Sequence, residues 1–70
     1  MTTKMKALSN IPVRKRRSID PKWISRVIPR GEEVSIINEK ESGKIIYGQL
    51  LDGMYVILVN HGINNFKVID

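Results

Sequence analysis

The residues able to do chemistry fall into one patterned group and a scatter of isolated polar side chains. The patterned group is Arg14-Lys15-Arg16-Arg17, four cations in succession, followed at wider spacing by Lys22 and Arg26. Such a run repels itself unless something negative relieves it, and the chemistry it suits is contact with phosphates. Each cation that neutralises a phosphate releases counterions, and arginine adds a bidentate geometry that lysine lacks. Trp23 follows the run by six residues and could stack on a base or meet a partner, as could Tyr47 and Tyr55. The plainer readings are a place in a small core for Trp23 and cross-strand packing for the two tyrosines. The run itself also fits a solubilising tail, or the loose pattern of a nuclear localisation segment beginning at Pro12.

The remaining polar residues do not assemble into a catalytic set. The single histidine, His61, stands between Asn60 and Gly62 in an expected turn, and there is no cysteine. That inventory excludes a Cys–His nucleophile pair, disulfides, thiolate metal sites and a histidine cluster for a metal. Glu32 and Glu33 are adjacent, so on a strand they face opposite sides and cannot share a proton. The five glycines are isolated, which leaves no phosphate-cradling loop. A non-enzymatic protein with no cofactor and no metal is expected.

Charge is divided unevenly along the 70 residues. Residues 1–30 hold nine Lys and Arg against Asp20 alone, whereas residues 31–70 hold three Lys against six acids, within an overall charge of +5. A basic segment on a weakly acidic body directs any polyanion to the segment. The expected partner is therefore nucleic acid, DNA or RNA, or an acidic protein surface. The longest apolar stretch, Met54 to Val59, is too short for a membrane span and no secretory leader is evident. A soluble cytoplasmic protein is expected, nuclear if the host is a eukaryote.

Positioning these residues requires elements. Residues 1–18 show neither a helical nor an alternating apolar period and read as a disordered basic arm. Residues 19–70 read as one small domain. Asp20 suits a helix N-cap and Pro21 the first helical position, so a short helical turn is expected over Trp23 to Ile28, with an extended strand as the alternative. Beyond Arg30-Gly31 the pattern predicts strands at Val34–Ile37, Lys44–Leu51, Met54–Val59 and Ile63–Ile69. A polar loop over Glu39–Gly43 separates the first two, and a two-residue type I′ turn is expected at Asp52-Gly53. A three-residue turn is expected at Asn60-His61-Gly62, and Gly48 suggests a bulge or bend. Ile45, Tyr47 and Leu51 oppose Ile46 and Leu50, and Met54, Val56 and Leu58 oppose Tyr55, Ile57 and Val59, so the central hairpin is apolar on both faces. Its second face needs cover from Trp23–Ile28, another subunit or a partner.

Ile28-Pro-Arg-Gly-Glu-Glu-Val-Ser-Ile, followed by a strand, a tight turn and a closing hairpin, resembles the glycine-then-strand opening of bacterial SH3 domains. The resemblance covers Val27 to Ile69 and implies a mainly β fold, a small SH3-like barrel of four to five antiparallel strands. The aromatic ligand groove of eukaryotic SH3 domains is not recognisable, so proline-rich peptide binding is not implied. Asp20-Pro-Lys-Trp-Ile, with Val34-Ser-Ile and Ile46-Tyr-Gly-Gln-Leu, is similar in order to the N-terminal helix and first strands of Hfq and other Sm-like RNA chaperones. That second resemblance would imply a ring, but Asn60 to Asp70 is short for its two last strands and the Tyr-Lys-His signature is absent. Two functions stay open: a nucleic-acid-associated module, and a protein-interaction regulator or structural subunit that docks on a larger assembly through its apolar hairpin face.

Overall fold

The computed structural model describes residues 2–69. Met1 and Asp70, the ends of the expected arm and domain, lie outside the described residues. Among the described residues eight antiparallel strands form one open sheet: β1 (Thr3–Ala7), β2 (Ile11–Arg14), β3 (Ile24–Ile28), β4 (Glu33–Ser42), β5 (Ile45–Leu50), β6 (Tyr55–Asn60), β7 (Ile63–Asn64) and β8 (Phe66–Val68). They lie in the order β3-β2-β6-β5-β4-β1-β8, with β7 paired to β6. The fold is mainly β, as expected, but with eight strands where four to five were predicted. The helical piece is a single 3₁₀ turn, Pro21–Trp23, capped by the Asp20 carboxylate, which accepts from the Lys22 N–H at 3.0 Å. The chain then extends directly into β3.

The largest departure from expectation is at the N-terminus. Residues 3–7 and 11–14 are strands and not a disordered arm. β1 pairs with β4 from Thr3↔Ile36 to Lys6↔Glu33, and with β8 from Met5↔Val68 to Ala7↔Phe66. The cause is two short period-two repeats, Met5/Ala7 and Ile11/Val13, whose side chains are all buried. Lys4, Lys6, Pro12 and Arg14 alternate with them on the wetter side. A radius of gyration of 10.8 Å is that of a fully compact chain, about 11 Å at this length. A trailing arm would raise it.

The core gathers Met5, Ala7, Ile11, Val13, Ile28, Ile36, Leu50, Val56, Leu58 and Phe66, with Ile46 and Val59 packed against them. Burial of each large apolar side chain contributes about 1.5–3 kcal/mol. Two bulges set which residues reach this core. In β4 the register passes from Ile36↔Leu50 to Asn38↔Gln49, leaving Ile37 as the extra residue. In β6 it passes from Ile46↔Val59 to Tyr47↔Ile57, leaving Leu58 as the extra residue. The second bulge brings Val59 to the core side with Ile46, which corrects the expected grouping of Val59 with Tyr55 and Ile57. Gly48 is the neighbour that makes room: a Cβ there would meet the Leu58 side chain at 2.9 Å.

The turns also differ in type from the expectation. Leu50 and Met54 close a three-residue loop, with the Gly53 N–H on the Leu50 carbonyl at 3.0 Å and the Leu50 N–H on the Met54 carbonyl at 2.8 Å. Gly53 has φ +88° while Asp52 keeps a negative φ, so this is a turn followed by a left-handed glycine and not a type I′ turn. The type I′ signature sits instead at His61 (φ 50°) and Gly62 (φ 82°), between paired Asn60 and Ile63. The expected Glu39–Gly43 loop is mostly strand, since β4 runs to Ser42 and pairs there with Ile45.

Asn65 alone separates β7 from β8. Its N–H donates to the Leu58 carbonyl and its carbonyl accepts from the Leu8 N–H, both at 2.9 Å, while its side-chain amide donates to the Ile57 carbonyl at 3.0 Å. The last stretch of chain therefore passes from β6 across to β1, drawing distant parts of the sheet around one core.

Candidate functional site

The basic run occupies the connection between β2 and β3, and this connection is tied at several points. The Lys15 N–H donates to the Trp23 carbonyl at 2.8 Å, and the Ser18 N–H to the Arg16 carbonyl at 2.9 Å. The Asp20 N–H donates to Ser18 Oγ at 3.1 Å, and the Trp23 N–H to the Asp20 carbonyl at 3.1 Å. Ordering these residues in advance lowers the entropy that any later contact must overcome.

The loop lies along the outer face of β4, β5 and β6 and encloses a groove of about 600 Å³ lined by Lys15, Arg16, Arg17, Lys40, Ser42, Tyr47 and Tyr55. An adjoining depression adds Asn38 and Gln49. Among the described residues the lining holds four cations and no carboxylate. Strand pleating explains that sorting: Lys40 and Ser42 share one side of β4, while Glu39 points to the other and lines a separate apolar groove. The bulge at Ile37 makes the sorting possible. Continued alternation from Val34 and Ile36 would have sent Asn38 and Lys40 inward.

Aromatic rings and cations meet at this face. The Arg16 guanidinium lies 4.6 Å from the centre of the Trp23 ring, the Lys22 ammonium 5.4 Å from the same ring, and the Arg17 guanidinium 5.9 Å from Tyr55. Tyr47 is buried and lies opposite Lys40 on one side and Ile57 on the other, so Tyr55 is its diagonal neighbour and not its direct partner. Trp23 is half-buried and stands outside the core cluster, so it is not the core residue of the plainer reading.

The predicted site residues separate accordingly. Lys15, Arg16, Arg17, Tyr47 and Tyr55 line the groove, and Trp23 and Lys22 flank it through the stacked Arg16. Arg14 belongs to the framework: it pairs with Tyr55 and Ile24 in the sheet and turns its guanidinium toward the Asp20 carbonyl at 3.5 Å. Lys22 is also drawn to the Asp20 carboxylate, at 3.7 Å. Arg26 is elsewhere, in an ion pair with Asp52 at 3.0 Å. There the Met54 N–H on Oδ1 at 3.0 Å holds the Asp52 carboxyl below the usual carboxylate range against an opposing effect of burial, and Arg26 adds to the lowering. Lys40, Ser42, Asn38 and Gln49 are groove residues that no motif marks.

His61 is exposed in its turn, with Nδ1 donating to Asn60 Oδ1 at 2.6 Å. Among the described residues no group of three or more His, Cys, Asp or Glu is placed to hold a metal ion. No helix among them is long and apolar enough to cross a membrane. Comparison with known proteins finds no matching family model, no matching curated protein and no matching solved structure.

Proposed function

We propose that this protein is a non-enzymatic binding module that associates with nucleic acid, DNA or RNA, through the basic groove. The observation that carries the reading is the lining itself, which among the described residues holds four cations without a carboxylate, three on the β2–β3 loop and one on β4, beside aromatic rings. Positive charge concentrated in a concave site attracts a polyanion and raises its local concentration. The curled sheet, with Asn65 carrying the last strand from β6 to β1, supports reading the body as a small barrel of the SH3-like kind. A protein that works on nucleic acid belongs in the cytoplasm, or in the nucleus of a eukaryotic host.

The test replaces Lys15, Arg16, Arg17 and Lys40 together by alanine and measures affinity for generic DNA and RNA at several salt concentrations. The slope of log affinity against log salt is expected to become shallower by roughly 0.7 to 0.9 for each phosphate that is no longer neutralised, similarly across unrelated sequences. Arg26→Ala, outside the groove, is expected to leave the slope unchanged. Equal slopes in the parent and the quadruple variant would overturn the proposal.

A second reading, a protein-interaction regulator or structural subunit, is favoured by one observation. An apolar groove of about 440 Å³ opens beside β7 and β8, lined mainly by Met5, Leu8, Ile46, Leu58, Phe66 and Val68. A one-to-one protein complex that survives high salt would support that reading over the first.

A further inference from the structure

The chain has four aromatic residues, Trp23, Tyr47, Tyr55 and Phe66, and only Phe66 joins the core cluster. A protein of this size has a small core, and large rings are its most effective filling. Tyr47 is nonetheless buried, whereas Trp23 and Tyr55 are only half-buried beside the cations, so placing these two rings there forgoes core packing. Tyr47 and Tyr55 line the groove, and Trp23 stands next to it beneath Arg16. Phosphate contact alone would need no rings.

The cations over those rings are held in place only weakly. Arg16 and Arg17 rest on Trp23 and Tyr55 at 4.6 and 5.9 Å, and both are exposed. An exposed cation–π contact is weak, so a base can displace a guanidinium from a ring face without a large barrier. The displaced guanidinium is then free to meet the phosphate attached to that base. One movement converts two weak internal contacts into a stacking contact and a charge-assisted one.

We infer that the groove takes single-stranded nucleic acid, with a base stacking on Tyr55 and a neighbouring one on Trp23 while Arg16 and Arg17 turn to the phosphates. This rests on the nucleic-acid reading above and narrows it to the single-stranded class. A duplex keeps its bases stacked on one another and presents only its backbone, so the rings would gain nothing from it. Base stacking on a side chain tolerates any sequence, because every base has a π face. The groove volume of about 600 Å³ is that of a small-ligand cleft, so a short run of nucleotides is engaged and not a long track.

Trp23 is the only tryptophan, so its emission reports on the site directly. The experiment titrates the whole protein at low salt with oligothymidylate, oligouridylate, a blunt DNA duplex and inorganic polyphosphate, each matched in charge. The two single strands are expected to quench Trp23 and to bind more tightly than duplex or polyphosphate, by roughly 5- to 150-fold for each stacked base. Tyr55→Ala is expected to remove one such factor from single-strand affinity, Tyr55→Phe to retain it, and neither to change polyphosphate affinity. Equal affinity for all four ligands, with no quenching of Trp23 in the parent protein, would overturn the stacking inference and leave the phosphate-binding groove standing. Failure to bind any of the four would overturn both.

Discussion

Removal of residues 1–17 takes two strands out of the sheet, together with the buried side chains of Met5, Ala7, Ile11 and Val13. A disordered arm could be cut away without effect, so this perturbation tests the assignment directly. Met5, Ile11 and Val13 alone account for about 4–9 kcal/mol of apolar burial. A domain of 70 residues has a net stability of about 3–10 kcal/mol at typical values per residue. The cut also strips β4 and β8 of their common neighbour β1, and takes β2 from between β3 and β6. The truncated chain is expected to be unfolded at room temperature. A milder variant, Val13→Ala, keeps every strand and removes two buried carbons from a fully enclosed site, at about 1.6 kcal/mol for transfer with a cavity contribution added. Its Tm is expected to fall by roughly 8–15 °C. Far-ultraviolet circular dichroism and urea titration read both variants. A truncated protein that unfolds cooperatively at the parent's urea midpoint would refute the assignment of these residues to the sheet.

Three further outcomes follow from local geometry. Gly48→Ala places a Cβ 2.9 Å from Leu58 Cγ and both its δ carbons, and is expected to destabilise by about 1–3 kcal/mol; in a double-mutant cycle with Leu58→Ala, additive losses in urea titration would count against the clash. Gly53→Val and Gly62→Val force a β-branched residue to φ +88° and +82°, and each is expected to cost about 1–3 kcal/mol, checked by thermal melts. For Asp52 the folded-state pKa lies below the unfolded value, so its contribution is present in full above about pH 4 and is lost as pH falls through the folded value. Asp52→Asn is expected to remove that acid-side loss, a change of less than about 1 kcal/mol because the carboxylate that accepts from Met54 and pairs with Arg26 is about half exposed. Urea midpoints of both proteins measured from pH 6 to pH 2 would show it.

Much of the fold was legible wherever a local rule acts alone. Asp20 and Pro21 mark the start of the 3₁₀ turn, and β-branched residues between glycines mark β4, β5 and β6. The positions of the turns were legible, whereas their types were exchanged. Asp-Gly suits either a type I′ turn or a turn closed by a left-handed glycine, and the register of the flanking strands decides between them. In the N-terminal segment Met5/Ala7 and Ile11/Val13 each alternate correctly. Two pairs with Ser9-Asn10 between them are too short to stand out as a period, and β1 is stable only with β4 and β8 beside it, β2 only with β3 and β6.

The candidate site divides in the same way. Amino-acid type and order determined that a concentrated positive charge exists at residues 14–17, that one tryptophan follows it, and that a Cys–His pair or a histidine cluster is ruled out. Tertiary structure decided which of those cations face the groove. Arg14 is drawn into the ladder and Arg26 across to Asp52, while Lys40 is brought in from a distant strand by the bulge at Ile37. A one-residue change of register turns every later side chain to the opposite face of a strand. Which face a lysine takes is therefore a property of strand pairing over the whole sheet, and is not contained in the residues on either side of it.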